Sequence, residues 1–194
     1  MARKNTHVVS FKRRKHGRTN YSKRLKLLVA RKPRVVIRCS NTRTYIQIVD
    51  FSPKGDAVLV GCDSGHLDKL GWKYSKANLS ASYLTGVLVA KKALEKDIKE
   101  GIIDIGLRRV TKANKLFAAI KGMKDAGLGI NLDPKMLPDE KRVQGAHIAL
   151  YAQSLKKEKA DRYQSLFSGH LKKQIGPEDI TKNFEEVKQK LLGK

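Results

Sequence analysis

A mixed α/β domain, preceded by a basic arm and followed by a set of helices, is the fold class this sequence predicts, on three observations. Residues 34–62 alternate apolar and polar positions in three short runs separated by turn residues, the pattern of an antiparallel three-strand meander. Beyond them come a helical period, a short apolar run and a second helical period, an α-β-α succession that implies a mixed sheet with helices on its faces. Charge supplies the third: residues 1–49 hold fifteen Lys or Arg and no acid, and the first carboxylate is Asp50. The expected division is therefore an arm at 1–32, an α/β core at 33–130 and a C-terminal loop and helices at 131–194.

In the arm, residues 21–28 read as a short helix, with Tyr21, Leu25 and Leu28 on one side able to anchor it. Lys32-Pro33 ends that helix, because the residue before proline is pushed out of the α region. The first strand, 34–39, sets Val35, Ile37 and Cys39 on one face and Arg34, Val36 and Arg38 on the other. After the turn at 40–43, the strand at 44–50 points Ile46 and Ile48 inward and Tyr45 and Gln47 outward. The third strand occupies 57–62 after the turn at 53–56. The outer sheet face would thus show Arg34, Arg38, Tyr45 and Gln47, cationic and flat groups suited to phosphate contact and base stacking.

Residues 63–75 read as a polar connection carrying the single tryptophan, Trp72. Asn78 is a good N-cap for a principal core helix running to about residue 99, and Gly86 inside it implies close approach of a neighbour. A short, central strand is expected at 102–107. The next helix, capped by Thr111, would turn Leu116, Phe117, Ile120 and Met123 inward and stop at Gly127. Helical periods return at 139–155, 160–171 and 177–192, the last with the stripe Ile180, Phe184, Val187, Leu191.

The chain's 194 residues carry a formal charge of +24, and the excess is local. Residues 50–150 balance 17 basic against 12 acidic side chains, and residues 151–194 balance 10 against 6. Fifteen like charges on the arm repel one another, and a polyanion beside them would relieve that repulsion and release counterions. Nucleic acid is the partner this pattern points to. A membrane surface would require an apolar face that the arm lacks. No apolar stretch is long enough to span a bilayer, and the start lacks the apolar core of a secretory signal. An acid-poor, Arg-rich start is shared with organelle transit peptides, but here it leads straight into a strand pattern. Cys39 and Cys62 read as reduced, buried thiols, and two cysteines alone do not make a zinc site.

No catalytic constellation emerges. His7, His16, His66, His147 and His170 are scattered, and no phosphate-cradling glycine loop or paired metal-ligand motif is present. The sharpest enzyme reading is a metal-dependent nuclease, because the element order resembles a ribonuclease H-like layout. That chemistry needs converging carboxylates. Asp50, Asp63 and Asp104 are the available ones, and they read more simply as loop acids. No cofactor is called for.

Several blocks carry a family resemblance. They are Lys12-Arg13-Arg14-Lys15 through Tyr21 to Leu28; Arg38-Cys39-Ser40-Asn41 with Gln47-Ile48; residues 78–93 with Tyr83-Leu84-Thr85-Gly86; Asp104-Ile105-Gly106-Leu107; and residues 111–128, containing Asn114-Lys115-Leu116-Phe117-Ala118-Ala119-Ile120. In this order they resemble large-subunit ribosomal protein eighteen in its archaeal form, the counterpart of eukaryotic large-subunit protein five. The short connection Lys99-Glu100-Gly101 favours the archaeal form. The resemblance implies a three-layer fold of ribonuclease H-like topology without its catalysis. It also implies binding to 5S ribosomal RNA, contact with 23S ribosomal RNA and neighbouring ribosomal proteins, and a cytoplasmic place in the central protuberance of the large subunit. Without it, the residues support only a general basic RNA binder.

On that basis Lys12, Arg13, Arg14, Lys15, Arg18, Lys23, Arg24 and Lys26 are expected on RNA phosphates, with Tyr21 packed against RNA or the domain. Arg34, Arg38, Asn41, Arg43 and Tyr45 would present the sheet and its hairpin. Lys112, Asn114 and Lys115 form a third group at a helix start.

Overall fold

The computed structural model describes residues 9–193, so the first eight residues of the expected arm, His7 among them, lie outside it. A four-stranded mixed sheet is the framework, in the order β3-β2-β1-β4. β1 (Arg34–Cys39) and β2 (Thr44–Asp50) pair antiparallel, with Arg38 opposite Tyr45 and Val36 opposite Gln47. β3 (Ala57–Asp63) continues the meander through an irregularity at Ile48/Val49. β4 (Ile102–Asp104) lies parallel to β1, with Val36 opposite Asp104.

β4 corrects the sequence-based expectation twice. It is three residues long and stands at the sheet edge, not the centre. The strand stops because Gly106 takes φ 65° and turns the chain away.

One face of the sheet is apolar, as the alternation dictates: Val35, Ile37, Cys39, Ile46, Ile48, Val60 and Cys62 pack on helices α3 (Leu79–Leu94) and α4 (Lys115–Asp125). Both helices begin with an asparagine whose side chain accepts a backbone N–H three residues on, Asn78 from Ala81 and Asn114 from Phe117. The expected cap Thr111 is displaced because Ala113 adopts φ 53° and interrupts the helix there; the Thr111 hydroxyl accepts from the Asn114 amide instead. α3 likewise ends five residues early, and Asp97 at φ 57° marks the break.

The two helices meet backbone to backbone. A Cβ on Gly86 would lie 2.1 Å from the carbonyl oxygen of Ala119, and one on Gly122 would lie 2.2 Å from that of Tyr83. The sequence pointed to Gly86 but not to its reciprocal partner, because a glycine in a helical run does not identify what approaches it.

A second apolar layer lies on the far side of α3 and α4. Tyr83, Leu84, Val87 and Ala118 meet Val143, Ala149 and the Ile180, Phe184, Val187, Leu191 stripe of α8 (Ile180–Leu192). Leu67, Trp72 and Tyr74 join it. The stretch 63–75 is therefore not only a polar connection: a 3-10 helix, Ser64–Leu70, seats those side chains. The expected helix at 139–155 is two, α5 (Glu140–Gln144) and α6 (Ala146–Glu158), broken at Gly145 with φ 87°. α7 (Ala160–Leu171) folds back on α6 around Ala152, Leu155, Tyr163 and Phe167.

Replacing Gly86 with alanine forces α3 and α4 apart and should cost about 3 kcal/mol. Gly169→Ala, on α7 with open space around it, should stabilise by roughly 0.5–1 kcal/mol. Urea unfolding of both variants reads the contrast; equal effects would show that the glycine crossing does not govern the packing.

Candidate nucleic-acid interface

The arm contributes two short helices, α1 (Lys12–Lys15) and α2 (Tyr21–Leu28). Asn20 caps α2 by accepting the Lys23 N–H, and Phe11 and Tyr21 pack with ring centroids 5.0 Å apart. Leu25, expected to anchor the arm, is 65% exposed. Tyr21 and Leu28 are half-buried as expected, and ionic contacts complete the anchor. Arg24 donates to Asp56 at 2.7 Å, and the Lys23 ammonium reaches the Gly106 carbonyl at 3.2 Å.

These contacts extend a chain of alternating charge across the sheet. Arg34 is 2% exposed and donates to Asp56 at 2.5 Å and to Asp104 at 2.9 Å. Arg38 closes the series, bonding the Asp104 carboxylate at 3.2 Å and its carbonyl at 2.7 Å. The order is Arg24, Asp56, Arg34, Asp104, Arg38. Burial acts to raise the Asp104 pKa, but the Gly106 N–H at 2.8 Å and the two guanidinium groups outweigh it and hold the carboxyl below its ordinary value. Asp56 is depressed in the same way, with Arg24 and Arg34 overcoming the effect of burial.

Between the arm and the outer sheet face runs an open groove of ≈ 1040 Å³. Arg13, Arg18, Lys23, Arg24, Arg34, Arg38 and Arg108 line it, seven cations against the two carboxylates Asp56 and Asp104. Val36, Val49 and Val58 give it apolar surface. A cationic groove with apolar surface can hold a phosphodiester chain and pack a base or sugar against the valines.

The sequence-expected residues distribute as follows. Arg13, Arg18, Tyr21, Lys23, Arg24, Arg34 and Arg38 converge on the groove, while Lys12, Arg14, Lys15 and Lys26 are exposed on the arm outside its lining. Arg34 corrects the expectation of a displayed cation, since its guanidinium is buried between two carboxylates and organises the surface from beneath. The hairpin and the α4 start come together as one patch: the Lys115 ammonium donates to the Ser40 carbonyl at 3.4 Å. Asn41, Arg43 and Tyr45 are exposed there, with Arg43 paired to Asp63 at 2.7 Å. Lys112 is exposed, whereas Asn114 is committed to capping α4.

Sequence reasoning missed Arg108, which donates to the Cys39 carbonyl and lines the groove. The doublet Arg108-Arg109, directly after the run 102–107 read as a strand, was the available signal. The acids weighed for nuclease chemistry are otherwise engaged: Asp104 by Arg34 and Arg38, Asp63 by Arg43 and His66, and Asp50 by the Phe51 N–H.

Residues 5–102, covering the arm, the meander and α3, match the family model described as ribosomal large subunit proteins 60S L5, and 50S L18. Similarity to curated relatives extends further. The chain is 45% identical over 191 residues to large ribosomal subunit protein uL18 of Thermofilum pendens, covering 98% of this chain and 97% of that one. It is 45% identical to the uL18 protein of Methanococcus maripaludis, over 95% of each chain. With that of Ignicoccus hospitalis it shares 44% identity over 99% of this chain and 94% of the relative.

Because the folded-state pKa of Asp104 is depressed, its stabilising contribution is fully present above the ordinary value of 3.8 and is lost as pH falls through the folded value. Asp104→Asn should therefore cost about 3 kcal/mol at neutral pH, by stranding Arg34 with one partner. The gap between variant and native protein should close as pH falls below the ordinary carboxylate range and through the folded value. Denaturant unfolding over pH tests this, and a gap constant with pH would contradict the ionic assignment.

Proposed function

The chain belongs to the family of large-subunit ribosomal proteins that includes 60S L5 and 50S L18, and from that premise we propose that it binds 5S ribosomal RNA through the arm and outer sheet face and attaches it to 23S ribosomal RNA in the central protuberance. As a member of that family it is a structural, non-enzymatic constituent of the large subunit of the cytoplasmic ribosome. Among the described residues no helix is long and apolar enough to cross a membrane.

The observation that carries the proposal is the groove. Arg13, Arg18, Lys23, Arg38 and Arg108 line its walls, and Arg24 and Arg34 are held in place by Asp56 and Asp104. Phosphates enter along the arm, where Lys12, Arg14, Lys15 and Lys26 extend the cationic track. Asn41, Arg43, Tyr45, Lys112 and Lys115 form the adjoining patch at the hairpin, where donors and an aromatic face can engage a loop or minor groove. Tyr21, packed at a tilt against Phe11, fixes the arm's shape. In this reading residues 1–32 are the RNA-binding arm, 33–130 the α/β core and 131–194 the C-terminal addition. The strand order, with β4 parallel to β1, supports the ribonuclease H-like layout. The nuclease reading loses support, because two of the three carboxylates it would need, Asp63 and Asp104, are paired with guanidinium groups.

Affinity for 5S ribosomal RNA against transfer RNA, titrated over salt, tests the proposal. With about 6–10 phosphate contacts, affinity for both should fall by roughly 10³–10⁵ between about 50 and 200 mM salt. A preference for 5S RNA should persist as salt rises, because the preformed groove and hairpin read shape. Equal affinity at every salt would leave only a charged arm and refute the 5S assignment.

A further inference from the structure

The α6–α7 hairpin is set apart from the groove by the layering of the molecule. The groove lies on the outer sheet face, α3 and α4 cover the inner face, and α5, α6 and α8 pack beyond them. α7 is further out, closing a small core of its own with α6 around Ala152, Leu155, Tyr163 and Phe167. Its link to the body is narrow: Tyr163 donates to Glu178 at 3.1 Å, and His170 packs on Tyr74 with ring centroids 5.7 Å apart.

The turn between α6 and α7 is cationic. Lys156, Lys157, Lys159 and Arg162 stand there against Glu158 and Asp161, and all are exposed. A solvated helix surface with acids so near commonly pairs its charges. Here, among the described residues, Lys156 alone makes an ion pair, with Glu178 at 3.6 Å. Lys157, Lys159 and Arg162 are left with their charge facing outward. Leu150 and Tyr151, earlier on α6, add exposed apolar surface on the same helix.

From this arrangement we infer that the α6–α7 turn is a second RNA-binding surface, which contacts phosphates of 23S ribosomal RNA while the groove holds 5S RNA. The inference rests on the 5S–23S reading above and deepens it by assigning each RNA its own side of the protein. Two cationic surfaces separated by the sheet and the helical layers cannot both lie against one straight duplex. They can clamp two RNA segments, which is what attaching one RNA to another requires. Screening over about 8–10 Å makes the two surfaces electrostatically independent at physiological salt.

The test uses the full-length chain with Lys157→Glu, Lys159→Glu and Arg162→Glu combined, leaving Lys156 and the hairpin core intact. Circular dichroism and unfolding should match the native protein. Affinity for 5S ribosomal RNA alone should change by less than about twofold, since the groove lies beyond the screening length. Capture of 23S ribosomal RNA by the preformed protein–5S complex should fall at least about tenfold, with a shallower salt dependence as about three phosphate contacts are lost. Undiminished 23S capture would overturn the inference, as would a loss of 5S affinity equal to the loss of 23S capture. If the native complex captures no 23S RNA at all, the attachment reading fails, a result distinct from failure of the hairpin assignment alone.

Discussion

The buried guanidinium of Arg34 is the constraint on which the rest of the structure depends. Removing a cation from water costs several kcal/mol unless charged, well-oriented partners replace the lost hydration. Asp56 and Asp104 do so, from the β2–β3 turn and from the end of β4. The positions of those two segments are therefore not free. The edge strand must bring Asp104 level with Val36, as the parallel register does, and the turn at 53–56 must fold back over the outer face. Each acid then has one oxygen left for a further cation, Arg24 from the arm and Arg38 from the sheet.

This ladder links packing to function. An eight-residue helix is too short to persist in water by its own hydrogen bonds, and α2 buries no residue fully. What keeps it against the sheet is the Arg24–Asp56 pair, the Lys23–Gly106 bond and the half-buried Tyr21, Leu27 and Leu28. The groove is then present before RNA arrives, and less ordering entropy remains for binding to offset. Behind it α3 and α4, which cover the inner sheet face, are locked to each other by the Gly86–Gly122 crossing, whose close backbone approach needs both residues to lack a side chain.

Much of this was legible in the sequence, for local reasons. Alternation fixed the limits of β1 and β2 and the inward set Val35, Ile37, Ile46 and Ile48, because a strand with one buried face has a period of two. Asn78 and the stripe of α8 were equally plain. Arg34 was not. Alternation places it beside Arg38 on the outer face, and its burial comes from carboxylates 22 and 70 positions away, which no local pattern reports. The same limit explains Thr111 and Gly145: left-handed backbone at Ala113 and Gly145 breaks runs whose composition reads as continuous helix. The family resemblance identified the partner class that composition alone left general.

Amide hydrogen exchange of α2 in the RNA-free protein, native against Arg24→Met, which removes the arm's end of the ladder and leaves Arg34 both its carboxylates, tests the arm's attachment most directly. The account predicts slowed exchange across Tyr21–Leu28 in the native chain. In the variant, those amides should exchange at least about tenfold faster while β1 and β2 keep their protection, because local opening of the arm is uncoupled from global unfolding. Equal exchange of α2 in the two proteins would contradict the account, since the arm's place would not depend on the Arg24–Asp56 pair.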